Sequence, residues 1–254
     1  MKLALLSDIH ANLHAFDACL AHAEAAGAQQ YALLGDLVGY GAFPSQVVQR
    51  AMGLVAAGAL TVKGNHDHFA NVDIAKAAPM AHTGVAWTRA QLSPAERAFL
   101  GRMPLTARSG SALLVHASAD APSRWRYVTS PAMAALSLDG ASTPPAGDDA
   151  VHYVFGGHVH LQTLYFRGGA GKLMPFLPTP GVAIPVPRHR RWLATIGSVG
   201  QPRDGRVDAM YAMFDESAQQ LTFYRVPYDV QGAAAAIRAT PLPAFFADRL
   251  ELGQ

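Results

Sequence analysis

Five short, mostly apolar runs, each ending at an acid, an amide or an imidazole and usually beside a small residue, leave this chain few ways to fold. Residues 2–6 run into Ser7-Asp8, 31–34 into Gly35-Asp36, 60–63 into Gly64-Asn65, 111–115 into His116, and 151–155 into Gly156-Gly157-His158. Apolar runs this short that stop at a breaker read as buried strands, since core helices need ten residues or more. Helical signals lie between the first three. Asn12 is placed to cap a helix with Leu13, Phe16, Leu20 and Ala23 on its apolar face and Gly27 at its stop, and Pro44-Ser45 opens another that runs to about Gly58. Strand, loop, helix, strand in succession predicts parallel βαβ units. Loops at the C-terminal ends of parallel strands fall along one sheet edge, so the residues that end these runs are expected to meet, although they stretch from Asp8 to His160.

The rest of the chain fits around that frame. Residues 85–103 read as two helical pieces, the second started by Ser93, Pro94 and Glu96. A helix is expected near 131–138, then a polar loop at 142–149. Residues 162–166 should continue the sheet, while the Gly- and Pro-rich stretch 168–190 reads as an irregular excursion. The alternating runs at 208–215 and 220–226 predict an antiparallel hairpin. The tail from 230 reads as a helix to Thr240 and a second short helix after Pro243. With no repeat and no linker, residues 1–254 are expected to form a single α/β domain, two mixed β-sheets packed together with helices outside.

Composition limits the partners. Half of the residues are hydrophobic and 15% are charged, which suits a packed core and argues against disorder. A formal net charge of +2 gives no bulk attraction to nucleic acid or to a membrane surface. The apolar run Leu3 to Leu6 is too short for a secretory signal, and no run approaches the roughly 18 to 20 apolar residues of a membrane span. The single cysteine, Cys19, has no partner for an intrachain disulfide. A cytoplasmic protein is the expectation, with its oligomeric state left open.

The residues expected to meet have a definite chemistry. Asp8 and Asp36 are anionic oxygen donors, Asn65 offers a neutral carbonyl oxygen, and His10, His116, His158 and His160 offer imidazole nitrogens, with no thiolate among them. Such a mixed set suits Mn, Fe, Co, Ni or Zn and disfavours Cu(I). It is too large for one tetrahedral ion and fits two if a carboxylate is shared. Gly35, Gly64, Gly156 and Gly157 beside them allow sharp turns and close approach.

These segments stand in a familiar order. SDIH (7–10), GDLVGYG (35–41), GNHD (64–67), VH (115–116) and GGHVH (156–160) follow the pattern D-x-H, G-D, G-N-H-D/E, H and G-H-x-H. In this the chain resembles the calcineurin-like metallophosphoesterase superfamily. WTR (87–89), RW (191–192), GSVGQPRDG (197–205) and PYD (227–229) are similar to a small bacterial phosphodiesterase-like subgroup, so the resemblance runs along the whole chain. It departs where Ala119 follows HAS in place of proline and where Val159 stands for the common threonine; neither change removes a donor. The resemblance implies a four-layer sandwich, with two sheets flanked by helices. It also implies two divalent or mixed-valence metal ions. One would sit on Asp8, His10 and His160, the other on Asn65, His116 and His158, with Asp36 bridging. His66 matches the superfamily's catalytic histidine and Asp67 the acid beside it.

The implied reaction is hydrolysis of a phosphoester, best a phosphodiester or nucleotide substrate. Two cations about 3.5–4 Å apart offset the charge on the attacking and leaving oxygens, and the water between them becomes the hydroxide nucleophile. His66 can protonate the leaving alkoxide, and Asp67 can orient its ring. The same donors could serve a dinucleoside polyphosphate hydrolase or a monoesterase. A nuclease has weak support from so mild a charge, and a non-catalytic scaffold would be expected to have lost donors that are all present here.

Other residues have two readings each. His66 could instead be a hydrogen-bonding neighbour of the ligands or itself a ligand. Arg203 could hold a phosphate oxygen or pair with Asp204; Tyr40 could stack on a base or sugar or belong to the core. Trp125, Arg126 and Tyr127 could line a pocket or anchor a loop. The basic run 188–191 reads best as a solvated strand end, and nucleic acid is not expected as a partner. His14, His22, His68, His82, His152 and His189 receive no metal role.

Overall fold

In the computed structural model the five apolar runs form strands. The structure describes residues 1–72, 79–141, 150–168 and 171–254, without the side chains of 79–83. The loop expected at 142–149 lies outside the described residues. In chain order the strands are β1 (Lys2–Leu6), β2 (Gln30–Leu33), β3 (Leu60–Thr61), β4 (Thr106–Ser109), β5 (Ala112–Val115), β6 (Tyr153–Gly156), β7 (Gln162–Arg167), β8 (Leu173–Phe176), β9 (Ala183–Pro185), β10 (Trp192–Ile196), β11 (Ala209–Asp215) and β12 (Gln220–Val226). The helices are α1 (Leu13–Ala25), α2 (Pro44–Ala56), α3 (Asn65–Phe69), α4 (Pro79–Gln91), α5 (Pro94–Arg102), α6 (Pro131–Gly140), α7 (Val230–Arg238) and α8 (Phe245–Leu252).

The strands form two mixed sheets, ordered β3-β2-β1-β11-β12-β9 and β4-β5-β6-β10-β7-β8. In the first, β1, β2 and β3 are parallel, as the α1 and α2 crossovers require, and the β11–β12 hairpin adds antiparallel to β1. In the second, β5, β6 and β10 are parallel.

Alternation along β1 shows how the layers are glued. Leu3 and Leu5 enter the core between the sheets with Tyr153, Phe155, Ala212 and Phe214. Ala4 and Leu6 point the other way, under α1 and α2, against Phe16, Cys19 and Val47. Behind the second sheet Val115, Val154 and Leu193 pack on Ala134 and Leu138 of α6. The result is four layers, helix, sheet, sheet, helix, each large buried side chain contributing about 1.5–3 kcal/mol.

Several local expectations are refined. Asn12 caps α1, its side chain accepting from the Ala15 N–H, but the buried face is Ala15, Phe16, Cys19 and Ala23, with Leu13 and Leu20 only half-buried. Ser93 and Glu96 form the capping box of α5. The helix α4 begins at Pro79, earlier than 85. The stretch 168–190, expected to be irregular, supplies the edge strands β8 and β9, which tolerate Pro175 and Pro185 because an edge strand can spare a donor. The strand β10, central in its sheet, and the edge strand β4 are additions to the sequence reading. Among the described residues no helix is long and apolar enough to cross a membrane.

Candidate metal centre

Each candidate donor lies just past the C-terminal end of a parallel strand. Asp8 follows β1, Asp36 follows β2, Asn65 follows β3, His116 follows β5, and His158 and His160 follow β6. Backbone hydrogen bonds lock these loops together: Asp8 N–H donates to Gly35 O at 3.0 Å and His10 N–H to Asp36 O at 2.9 Å. The loop after β10 joins them, Gly200 N–H and the Ser198 hydroxyl both donating to Asp8 O, at 2.9 and 2.8 Å.

The loops are strained to do this. Asp8, His10, Asp36, His158 and His160 all have positive φ, between +49° and +68°. Each such non-glycine residue costs on the order of 1 kcal/mol or more and persists only where surrounding bonds hold it. Two glycines are equally constrained. A Cβ on Gly157 would lie 1.9 Å from Ser7 Oγ and 2.2 Å from Asp8 Oδ2, and one on Gly64 would lie 2.1 Å from Asp36 Oδ1.

The imidazoles are oriented by backbone carbonyls. His10 Nδ1 lies 3.2 Å from Val38 O, His116 Nδ1 2.8 Å from Leu34 O, His158 Nε2 2.9 Å from Trp125 O and His160 Nδ1 2.6 Å from Gln201 O. A carbonyl only accepts, so each of these nitrogens carries a proton, and the other nitrogen of each ring is the one turned inward. These inward atoms converge. His10 Nε2 and His160 Nε2 are 3.2 Å apart, as are His116 Nε2 and His158 Nδ1, with Asn65 Oδ1 also 3.2 Å from His116 Nε2.

Both carboxylates divide their oxygens the same way. Asp8 Oδ2 accepts from His158 N–H at 2.8 Å, while its Oδ1 has no hydrogen-bond donor among the described residues and lies 3.1 Å from His160 Nε2 and 3.7 Å from His10 Nε2. Asp36 Oδ1 accepts from His66 N–H at 2.8 Å. Its Oδ2 lies 3.3 Å from His116 Nε2 and 3.7 Å from His10 Nε2, between two triads whose donor atoms lie within 4.8 Å of one another: Asp8, His10, His160 and Asp36, His116, His158. Lone pairs facing one another at such separations, with a buried carboxylate oxygen that no N–H satisfies, fit cations between them. Hard oxygen with imidazole nitrogen is a donor set for first-row divalent metals.

Proton affinities report the same field. Burial pushes His66 down to about 3 and His158 to about 4, and lowers His160 as well. At His116 the Asp36 carboxylate outweighs burial and draws it up to about 10. Burial alone would raise the acids; His160 and His10 instead hold Asp8 well below the usual carboxylate range, and His116 and His66 hold Asp36 there. The cage holds negative charge and calls for positive charge.

At Asp67, expected to orient the His66 ring, Oδ2 accepts from the N–H groups of Asp36 and Gly64 and Oδ1 from Leu37 N–H, all at 2.9 Å. A fully buried carboxylate thus ties the loop after β2 to the loop after β3. Burial and the neighbouring Asp36 raise it to about 6, against the pull of those donors. The His66 ring is set by packing: it meets Tyr40 edge-on at 4.5 Å and His10 at 4.9 Å between centroids.

Around this centre the remaining candidates fall into place. Asp204 pairs with Arg225, so Arg203 is left to donate to Gln201 Oε1 at 2.9 Å and to lie 5.9 Å over the Tyr40 ring, its Nε buried without a partner among the described residues. Tyr40 also touches His10 at 4.6 Å. Tyr127 stacks on His158 at 4.0 Å, Trp125 anchors the same ring through its carbonyl, and Arg126 pairs with Asp120 at 2.6 Å. In the basic run Arg188 pairs with Glu216, Arg190 lies over Phe166 and Arg191 donates to Leu138 O, so these charges serve the fold. Ser198, the Gln201 carbonyl and the carbonyls of Leu34 and Val38 were not foreseen as parts of the site, since backbone acceptors leave no trace in residue type.

Comparison with known proteins bears on what such a cage belongs to. The profile of the Calcineurin-like phosphoesterase superfamily domain matches residues 1–219, which include every donor above. The chain belongs to this superfamily. Across its full length it is also 30% identical, over 261 residues, to an uncharacterized protein of Methanocaldococcus jannaschii, covering 99% of this chain and 98% of that one. The crystal structure of a metallophosphoesterase from Sphaerobacter thermophilus superposes with a TM-score of 0.87 at 32% identity, covering 100% of this chain and 99% of the other. A hypothetical protein from Pyrococcus horikoshii shares the fold at a TM-score of 0.78 and 16% identity, over 100% and 98% of the two chains. The chain is accordingly a metallophosphoesterase with the superfamily's two-sheet fold.

Proposed function

We propose that the protein hydrolyses phosphodiester or nucleotide substrates with two divalent transition-metal ions. Asp8, His10 and His160 would hold one ion, Asn65, His116 and His158 the other, and Asp36 would touch both. The observation that carries this reading is the position of Asp36 Oδ2 between His10 and His116, which belong to different triads. When bound, such a pair of ions supplies Lewis acidity toward phosphoryl oxygens and lowers the pKa of water.

The chain's own residues do the rest. The carbonyls behind the four imidazoles fix which nitrogen of each ring faces the cations, and at His116, which Asp36 draws up to about 10, a cation would take the place of the inward proton. Asp67 holds the Asp36 and Asn65 loops at a fixed separation. His66 is the proton donor to the departing alkoxide. Burial keeps its proton affinity low at about 3, and a phosphate anion alongside would raise it toward the working range. Arg203, with one buried guanidinium nitrogen unpartnered among the described residues, would bind a phosphate oxygen, and Tyr40 would pack on the substrate beside it. A single domain over 1–254 serves this site, since the tail after residue 219 contributes α7 and α8 beside Tyr40.

The test is a substrate panel with manganese-loaded protein: cyclic mono- and dinucleotides, dinucleoside tetraphosphates, short oligonucleotides, aryl diesters and simple monoesters. Turnover of diesters or nucleotides ahead of monoesters is expected. Monoester hydrolysis with no diester activity would overturn the preference, and no hydrolysis of any member would overturn the proposal.

A further inference from the structure

A cavity of about 190 Å³ opens beside the metal centre without touching any of the seven donors. Its walls come from the loop after β2, from α3 and the residue after it, from α4 and from α8, and it meets the site through Val38, Tyr40 and His66. The lining is mainly apolar: Phe246 packs on Tyr40 at 5.0 Å, and Gly84 of α4 leaves the opposite wall without a side chain. A Cβ added at Gly84 would lie 3.6 Å from the Phe246 ring, an ordinary contact. Away from Tyr40 and His66, Thr88 and Arg249 are the polar groups among the described lining residues. Thr88 is 2% exposed and its hydroxyl has no hydrogen-bond partner among the described residues. Arg249, lying over Phe245 at 5.4 Å, is the one guanidinium among the described lining residues, which include no acid.

These features bear on which end of a substrate enters. In the hydrolytic reading on which this inference rests, His66 faces the departing oxygen. Whatever that oxygen carries must therefore lie on the His66 side, where the cavity is. We propose that this cavity is the leaving-group subsite and that it takes a planar, uncharged aromatic group of one or two rings, an aryl group or a nucleobase, stacked along Tyr40 and Phe246. Flat rings suit such walls through offset or edge contacts. The Thr88 hydroxyl supplies a buried donor and acceptor for a ring heteroatom, and Arg249 disfavours a cationic group.

The test separates the subsite from the phosphate site by using two non-hydrolysable phosphonates, methylphosphonate and (1-naphthylmethyl)phosphonate, titrated calorimetrically into manganese-loaded protein. The wild-type chain should bind the naphthyl compound on the order of 30-fold more tightly, the worth of burying most of an aromatic group. Gly84→Leu should fill the cavity and reduce that ratio below about 3-fold, leaving methylphosphonate affinity and metal content unchanged, with Gly84→Ala in between. Equal affinities in the wild type, or a ratio that survives Gly84→Leu, would overturn the subsite while leaving the phosphoesterase reading intact. Failure of the loaded wild-type protein to bind either phosphonate would count against both.

Discussion

Replacing Asp67 by alanine should damage the protein far more than its distance from any substrate suggests. Its carboxylate accepts three backbone N–H bonds at 2.9 Å, from Asp36, Leu37 and Gly64, and the residue is fully buried. Truncation strands three donors. At about 1–3 kcal/mol each, less what water entering the gap restores, the loss is roughly 3–6 kcal/mol, a large part of a typical stability of about 5–15 kcal/mol. With a urea slope of about 3 kcal/mol/M or a little below, the unfolding midpoint should fall by roughly 1–2 M. Asp67→Asn should lose less, because one oxygen still accepts while its NH2 confronts an N–H. Urea titrations of the metal-free proteins measure this directly. Metal affinity should weaken in parallel, since the tie sets the separation of Asp36 and Asn65. A midpoint within about 0.3 M of wild type for Asp67→Ala would refute the reasoning. A fully stable, fully metallated variant that lost only rate would return Asp67 to a catalytic role.

Three further outcomes are expected. Asp36→Asn should lower bound metal from two ions toward one or none, read by elemental analysis after dialysis; unchanged metal and rate would contradict a shared ligand. His66→Asn should keep its metal and lose about 10²- to 10⁴-fold in kcat, most with poor leaving groups, a pattern seen by plotting rate against leaving-group pKa. Away from the site, hydrogen bonds from Ser45, Ser93 N–H and Gln49 hold Glu96 below the usual carboxylate range although burial opposes them. A depressed acid contributes its stability above its unfolded pKa of about 4.3, and that contribution drains away as pH falls through the lower folded value. Glu96→Gln should therefore cost about 1 kcal/mol at pH 7 and narrow the gap to wild type below about pH 4, measured by urea unfolding at both values.

Much of the centre was legible because its parts are residue types at strand ends. Asp8, Asp36, His116 and His158 each close an apolar run, and a parallel sheet gathers such ends whatever their distance along the chain. Helix limits were legible where a side chain writes them, as at Asn12 and at Ser93 with Glu96. What escaped was written in the backbone or in tertiary context. The strand β10 is buried on both faces, so Trp192 to Ile196 lacks the alternation that marks a strand, and it emerges from a basic, proline-bordered stretch. The strands β8 and β9 contain prolines that only an edge position excuses. Asp67 sits beside the catalytic candidate in sequence, which suggested the ring as its partner. Its actual partners are N–H groups that every residue possesses, and spacing cannot single them out. The carbonyls that orient the imidazoles are silent for the same reason.

The central claim is a cage that seats two cations about one shared carboxylate. Diffraction from crystals grown with manganese, measured on both sides of its absorption edge, tests it most directly. Two anomalous peaks are expected, one bounded by Asp8, His10 and His160 and the other by Asn65, His116 and His158, with Asp36 touching both. A single peak, no peak, or manganese seated elsewhere on the chain would contradict it.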